Sequence, residues 1–233
     1  MNDCKAAEER KIIVCENGPY IVSGDIPLVR KTQVVSEYGE PLNWQLQGPI
    51  ETDGEYALCR CGGSEHKPFC DCTHVRVKFN GAETADPRPT ARRQAVRRGT
   101  GILVKRDLYL CMSSGFCANR LTNVDRMTRQ TGDPQVRGQV MAMIEHCPSG
   151  SYSYALAEGE PDVEPDLPAE IAVVTEITSA GPIAGPLWVT GGIPVERADG
   201  EPFETRNRVT LCCCGKSKEK PLCDGSHRPH DQE

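Results

Sequence analysis

From Gly18 the chain runs in short apolar stretches broken by Gly and Pro: Gly18-Pro19-Tyr20-Ile21-Val22-Ser23-Gly24-Asp25-Ile26-Pro27-Leu28. Such a pattern predicts short β-strands joined by turns. It returns at Gly185-Pro186-Leu187-Trp188-Val189-Thr190-Gly191-Gly192-Ile193-Pro194-Val195, and Gly39-Glu40-Pro41 is echoed by Gly200-Glu201-Pro202. The first pair of echoes lies 167 residues apart, the second 161, and a cysteine-rich stretch beginning at Cys59 recurs 153 residues later at Cys212. The chain therefore holds an internal repeat. Its first copy carries about 14 additional residues, expected as a longer loop around Trp44 to Asp53. Residues 1–15 read as a polar lead containing Cys4 and Cys15.

A different segment separates the copies. Asp86 to Arg98 is rich in Pro and Arg and reads as a linker, which the acidic stretch from Glu158 to Glu170 could face. Gly101 to Leu110 reads as a strand. Asp133-Pro134 opens a helix in the favoured order, N-cap then Pro, and Val136, Val140, Met143 and Ile144 recur at helical spacing up to His146. A strand from Ser151 to Leu156 closes the unit. The predicted class is α+β, small and β-rich, with units at 16–80, 84–165 and 168–230.

Composition sharpens this picture. With 22 Gly, 18 Pro and 5% aromatic residues in 233, several small turn-rich units are expected, whose cores need a metal or cross-links. The opening residues are charged, with no apolar stretch for a signal peptide, and no run reaches the length of a membrane span. The 13 Cys are therefore expected to be reduced metal ligands in the cytoplasm. A net charge of -6 gives no global reason to expect nucleic acid or anionic lipid as partner. No Ser-His-Asp set, phosphate loop or dinucleotide glycine motif is visible, so a carrier is expected rather than an enzyme.

The repeated cysteine stretch carries the chemistry. Cys59, Cys61, Ser64, Pro68, Cys70, Asp71 and His74 recur at identical spacing as Cys212, Cys214, Ser217, Pro221, Cys223, Asp224 and His227. Two Cys two apart leave the same face of an extended segment and can grip one metal. Cys70 and His74 lie four apart, so a helix starting at Asp71 would turn both the same way. Both stretches resemble the cluster-binding motif of the CDGSH iron-sulfur (NEET-type) family, and the second reads Cys223-Asp224-Gly225-Ser226-His227. The resemblance implies two [2Fe-2S] clusters. One would be held by Cys59, Cys61, Cys70 and His74, and the other by Cys212, Cys214, Cys223 and His227, with the first two Cys on one iron and Cys plus His on the other. It also implies that the two copies pack as a pseudo-dimer within one monomeric chain. Cys72 departs from the family, standing where Gly is usual. Cys213 lies between two ligands, so its neighbours are assigned by register. His66 and His230 are expected to be exposed bystanders.

In the middle segment Cys111, Cys117 and Cys147, the last followed by Pro148, resemble a divergent 4Fe-4S mono-cluster, ferredoxin-like domain. Ser114 falls where the middle cysteine of that pattern would stand. Three thiolates suit a [3Fe-4S] cluster. A [4Fe-4S] cluster would need Ser114, water or a borrowed thiol. His146 is expected to serve its helix end.

Neutral imidazole on iron raises a cluster's potential above an all-thiolate one, and protons compete for it. One-electron transfer with redox proteins is expected. The alternatives are storage and transfer of [2Fe-2S] units to apo iron-sulfur acceptors, or structural zinc, since three Cys and one His also suit tetrahedral zinc.

Overall fold

The computed structural model describes residues 9–229, so Cys4 and His230 lie outside the described residues. The protein is a small, β-rich α+β structure. In the first half, β1 (Lys11–Val14), β2 (Tyr20–Ser23), β3 (Leu28–Val35), β4 (Pro41–Ile50) and β5 (Tyr56–Leu58) lead into the first cysteine stretch, followed by a single helical turn, α1 (Thr73–Arg76). The middle segment holds β6 (Ala95–Gly99), β7 (Ile102–Arg106), α2 (Val124–Met127), α3 (Pro134–Glu145) and β8 (Tyr152–Ala155). The second half adds β9 (Ile171–Thr178), β10 (Gly181–Thr190), β11 (Val195–Glu196) and β12 (Arg208–Leu211).

Two sheets exchange strands between the halves. One has the order β11-β1-β2-β5, the other β12-β10-β9-β3-β4. In each, the lent strand lies parallel to the host's first strand, with Ile12 opposite Val195 in one and Leu28 opposite Ile171 in the other. The remaining pairings are antiparallel. The alternation of apolar positions decides which faces meet: Ile12, Val14, Tyr20, Val22 and Leu28 from the first half pack in one core with Ile171, Leu187, Val189 and Leu211 from the second. Each such side chain contributes about 1.5–3 kcal/mol by leaving water. Tyr20, fully buried, donates its hydroxyl to the carbonyls of Cys212 at 2.8 Å and Pro221 at 3.1 Å.

The middle segment has its own core, where Val140 and Ile144 of α3 pack on Ile102, Val104, Tyr152 and Tyr154 of a β6-β7-β8 sheet. Asp133 caps α3 by accepting from Gln135 N–H, Pro134 follows, and His146 closes the helix. The expected strands appear as the shorter β7 and β8.

Three expectations are corrected. The extra residues of the first copy form β4, not a loop. Most of β4 is exposed, so it lacks the alternation that reveals a half-buried strand, and its pairing with β3 holds it. The lead contains β1, whose four residues are too few to show a period but whose Ile12 and Val14 are buried. The Arg-rich stretch is ordered as β6 and tied down by charge: Arg93 to Asp107 at 2.7 Å, Arg97 to Asp125 at 3.0 Å and Arg98 to Glu158 at 2.9 Å. The last of these is the expected facing of the basic and acidic stretches.

Candidate metal centres

Each cysteine stretch is shaped by the residues between its cysteines, and the two are shaped alike. Ser64 Oγ donates to the Phe69 carbonyl and accepts from His66 N–H, while Ser217 Oγ donates to the Leu222 carbonyl and accepts from Glu219 N–H. Asp71 accepts from the N–H groups of Glu65 and Thr73, and Asp224 from those of Lys218 and Ser226. These ties hold each Asp carboxyl below the usual carboxylate range, through the N–H donors of Glu65 and Thr73 for Asp71 and, against the opposing effect of burial, that of Lys218 for Asp224. Cys59 N–H and Cys212 N–H donate across the loop to Pro68 and Pro221 carbonyls, both at 2.8 Å. The loops are thus folded back so that the third Cys and the His return to the first two Cys.

Donors are paired in both cages. Cys59 Sγ lies 3.9 Å from Cys61 Sγ, and Cys212 Sγ 3.7 Å from Cys214 Sγ. Cys70 Sγ is 3.4 Å from His74 Nδ1, and Cys223 Sγ 3.3 Å from His227 Nδ1. Two thiolates on one tetrahedral metal stand about 3.8 Å apart, so each close pair fits one metal. Among the described residues, however, no three Cys, His, Asp or Glu groups converge as a single ion requires. Backbone N–H groups of Gly63, Cys72 and Lys216 point at Cys61, Cys70 and Cys214 sulfurs at 3.4 Å, as donors to thiolates do. Burial raises the thiols of Cys61, Cys70 and Cys223, while hydrogen bonding from Cys214 lowers Cys212 to about 6. Buried thiolates of this kind need a bound cation beside them. The donor sets therefore fit a metal group with two metal positions per cage.

The helix expected from Asp71 is a single turn that begins at Thr73, and the second copy has only turns there. Cys72 takes the left-handed conformation, φ 65°, that Gly225 takes at 88° in the other cage. Cys72 is exposed, and its positive φ is one that a Gly adopts without steric cost. Cys213 turns away from its cage, its thiol donating to the Gly185 carbonyl at 3.2 Å, and burial pushes it up to about 12. Cys212 and Cys214 are then the facing pair, as register assigned them.

The middle cysteines lie close enough to act on one another's charge. Burial raises the Cys117 thiol, and the neighbouring Cys147 and Cys111 thiols raise it further. Ser114 is buried nearby, and Ser149 Oγ stands 3.7 Å from Cys147 Sγ. His146 binds its own helix instead, Nδ1 lying 2.6 Å from the Ala142 carbonyl.

The three sites adjoin. A Cβ on Gly62 would come within 2.4 Å of the Cys214 carbonyl oxygen, and one on Gly215 within 2.5 Å of that of Cys61. A Cβ on Gly225 would meet the Met112 carbonyl oxygen at 2.9 Å, one residue from Cys111. The second cage thus lies between the first cage and the middle cysteines, each contact closed by a glycine at positive φ.

Two residues that serve these sites escaped the sequence reading. Arg208 reaches from β12 to the carbonyls of Cys147 at 2.7 Å and Ile144 at 3.1 Å, and pairs with Glu164. Glu176 is fully buried beside His227. The signal for Glu176 was available: in Ile171-Ala172-Val173-Val174-Thr175-Glu176 a charged residue falls on the same face as Ala172 and Val174, which point inward.

Residues 17–75 and 184–228 each match the family described as iron-binding zinc finger, CDGSH type. Each matched stretch encloses one of the two cages. No curated protein matches it. No described helix is long and apolar enough to cross a membrane.

Proposed function

We propose that the protein is an iron-sulfur carrier of single electrons. Cys59, Cys61, Cys70 and His74 would hold one [2Fe-2S] cluster and Cys212, Cys214, Cys223 and His227 a second, each supplying one-electron redox chemistry at a potential raised by its neutral imidazole. Cys111, Cys117 and Cys147 would hold a [3Fe-4S] or [4Fe-4S] cluster in a ferredoxin-like unit. The observation that carries the reading is the pairing of donors. Both cages have one Cys-Cys and one Cys-His pair at single-metal spacing, yet no three donors meet around one point. Two irons bridged by sulfide match that; tetrahedral zinc would draw all four donors together.

The reciprocal lending of β3 and β11 supports an intramolecular pseudo-dimer of the two copies, residues 16–80 and 168–230, in a monomeric chain. The adjoining of the sites supports electron movement within it. What the chain's own atoms do is hold thiolates with backbone N–H groups, keep water from the second cage, and fix the Cys-loop backbones against one another. A second reading, transfer of clusters to apo acceptors, is favoured at the first cage, where His74 borders an open hollow lined by Glu16, Asn17, Lys78 and Phe79.

Iron, sulfide and zinc analysis with EPR on anaerobically purified protein tests this. The expected result is two [2Fe-2S] clusters and a third cluster. Stoichiometric zinc without sulfide overturns it.

A further inference from the structure

The two cages share a frame but not surroundings. Glu176, with no exposed surface, places Oε2 at 3.3 Å from His227 Nε2 and 2.6 Å from Arg228 Nη2. The His227 side chain is 3% exposed. Neither His227 Nε2 nor either Glu176 oxygen has an in-line hydrogen bond to any group among the described residues, so the approaches of His227 and Arg228 to Glu176 are close contacts by distance and leave these buried polar atoms with no other partner. Since Nδ1 faces Cys223, the ring's other nitrogen is left to the carboxylate. Gly185 packs against this strand face: a Cβ there would stand 2.6 Å from Val174 Cγ2 and 3.2 Å from Glu176 Cγ. The long β9-β10 hairpin carries this arrangement over the cage. In the first half the corresponding β1-β2 hairpin has strands of only 4 residues each, and His74 lines an open hollow.

We infer that Glu176 is a positioning residue that fixes His227 as a metal ligand, so that the second cage retains its metal group while the first releases it more readily. A carboxylate on the free nitrogen of a ligating imidazole sets its tautomer and orientation and raises its basicity as a ligand, an effect on affinity of roughly 10- to 100-fold. Arg228 balances the buried charge. This role rests on the cluster reading above, and the test separates the two.

The full chain, purified holo, is used in a Cys59→Ser/Cys61→Ser background so that the first cage is silent. Iron loss to a colorimetric chelator and bleaching of visible absorbance are followed at fixed pH. Glu176→Gln, and Glu176→Gln with Arg228→Met to keep the buried charges balanced, are each expected to speed loss roughly 10- to 100-fold. In a His227→Cys background the same changes should alter the rate less than about twofold, because the group Glu176 acts on is gone. Where Glu176→Gln alone does not fold, the balanced pair gives the rate. Unchanged loss in both variants overturns the positioning role, and so does equal acceleration with and without His227, which would mark a merely structural effect. A second cage without iron and sulfide in the parent protein overturns the cluster reading itself, and with it this role.

Discussion

Ser217 is nearly without exposed surface and spends its hydroxyl twice, giving to the Leu222 carbonyl at 2.7 Å and receiving from Glu219 N–H at 3.0 Å. Ser217→Ala strands both partners, and a loss of about 1–3 kcal/mol in urea unfolding is expected. Cys72 predicts the opposite. A non-glycine residue at φ 65° carries strain, and an exposed thiol gives no packing in return. Cys72→Gly should leave metal content unchanged and shift stability by no more than about 1 kcal/mol, in the stabilising direction once relief of strain outweighs the added chain entropy. Loss of iron in that variant would instead make Cys72 a ligand. At this scale most of the candidate site was legible, because the spacing of its Cys and His is a local property of the chain. Arg208 was not, and for Glu176 the pattern of β9 could show an inward carboxylate but not what it faces, since both reach groups more than forty residues away.

Among the elements, the helix opened by Asp133 and Pro134 and ended by His146 is where the sequence predicts it, since cap, proline and period agree there. Strands β4 and β1 were hidden, one because its surface is wet on most positions, the other because it is too short to show a period. A short helical turn at Thr90–Arg92, between α1 and β6, rests on a carboxylate. Burial pushes Glu204 up, but the Thr90 hydroxyl and N–H and the Arg206 guanidinium more than reverse this, leaving it below its ordinary value of 4.5. A carboxylate lowered on folding stabilises the fold above its unfolded pKa, and that contribution fades as pH falls through the folded one. Glu204→Gln should therefore lower the melting temperature near neutrality and flatten its decline below about pH 4.5. A parallel displacement at all pH values would show that its charge is not what matters.

On the scale of the whole molecule, Arg208 is one of the ties between second half and middle unit, reaching the carbonyls of Cys147 and Ile144 from a nearly fully buried guanidinium paired with Glu164. Arg208→Met leaves that carboxylate and those carbonyls without their partner, a loss of about 3–5 kcal/mol by the usual cost of breaking a buried pair. Calorimetry should then resolve two transitions where the parent has one. The exchange of strands has a consequence of its own for how the chain is made. Ile12 must wait for Val195 to leave the ribosome before its strand gains a neighbour on that side. At ordinary elongation rates that delay is on the order of 10–40 s, during which the nascent first half carries a naked sheet border and a set of unclaimed thiols. Timely chaperone cover or metal delivery during synthesis, more than final stability, would then limit the yield of finished protein.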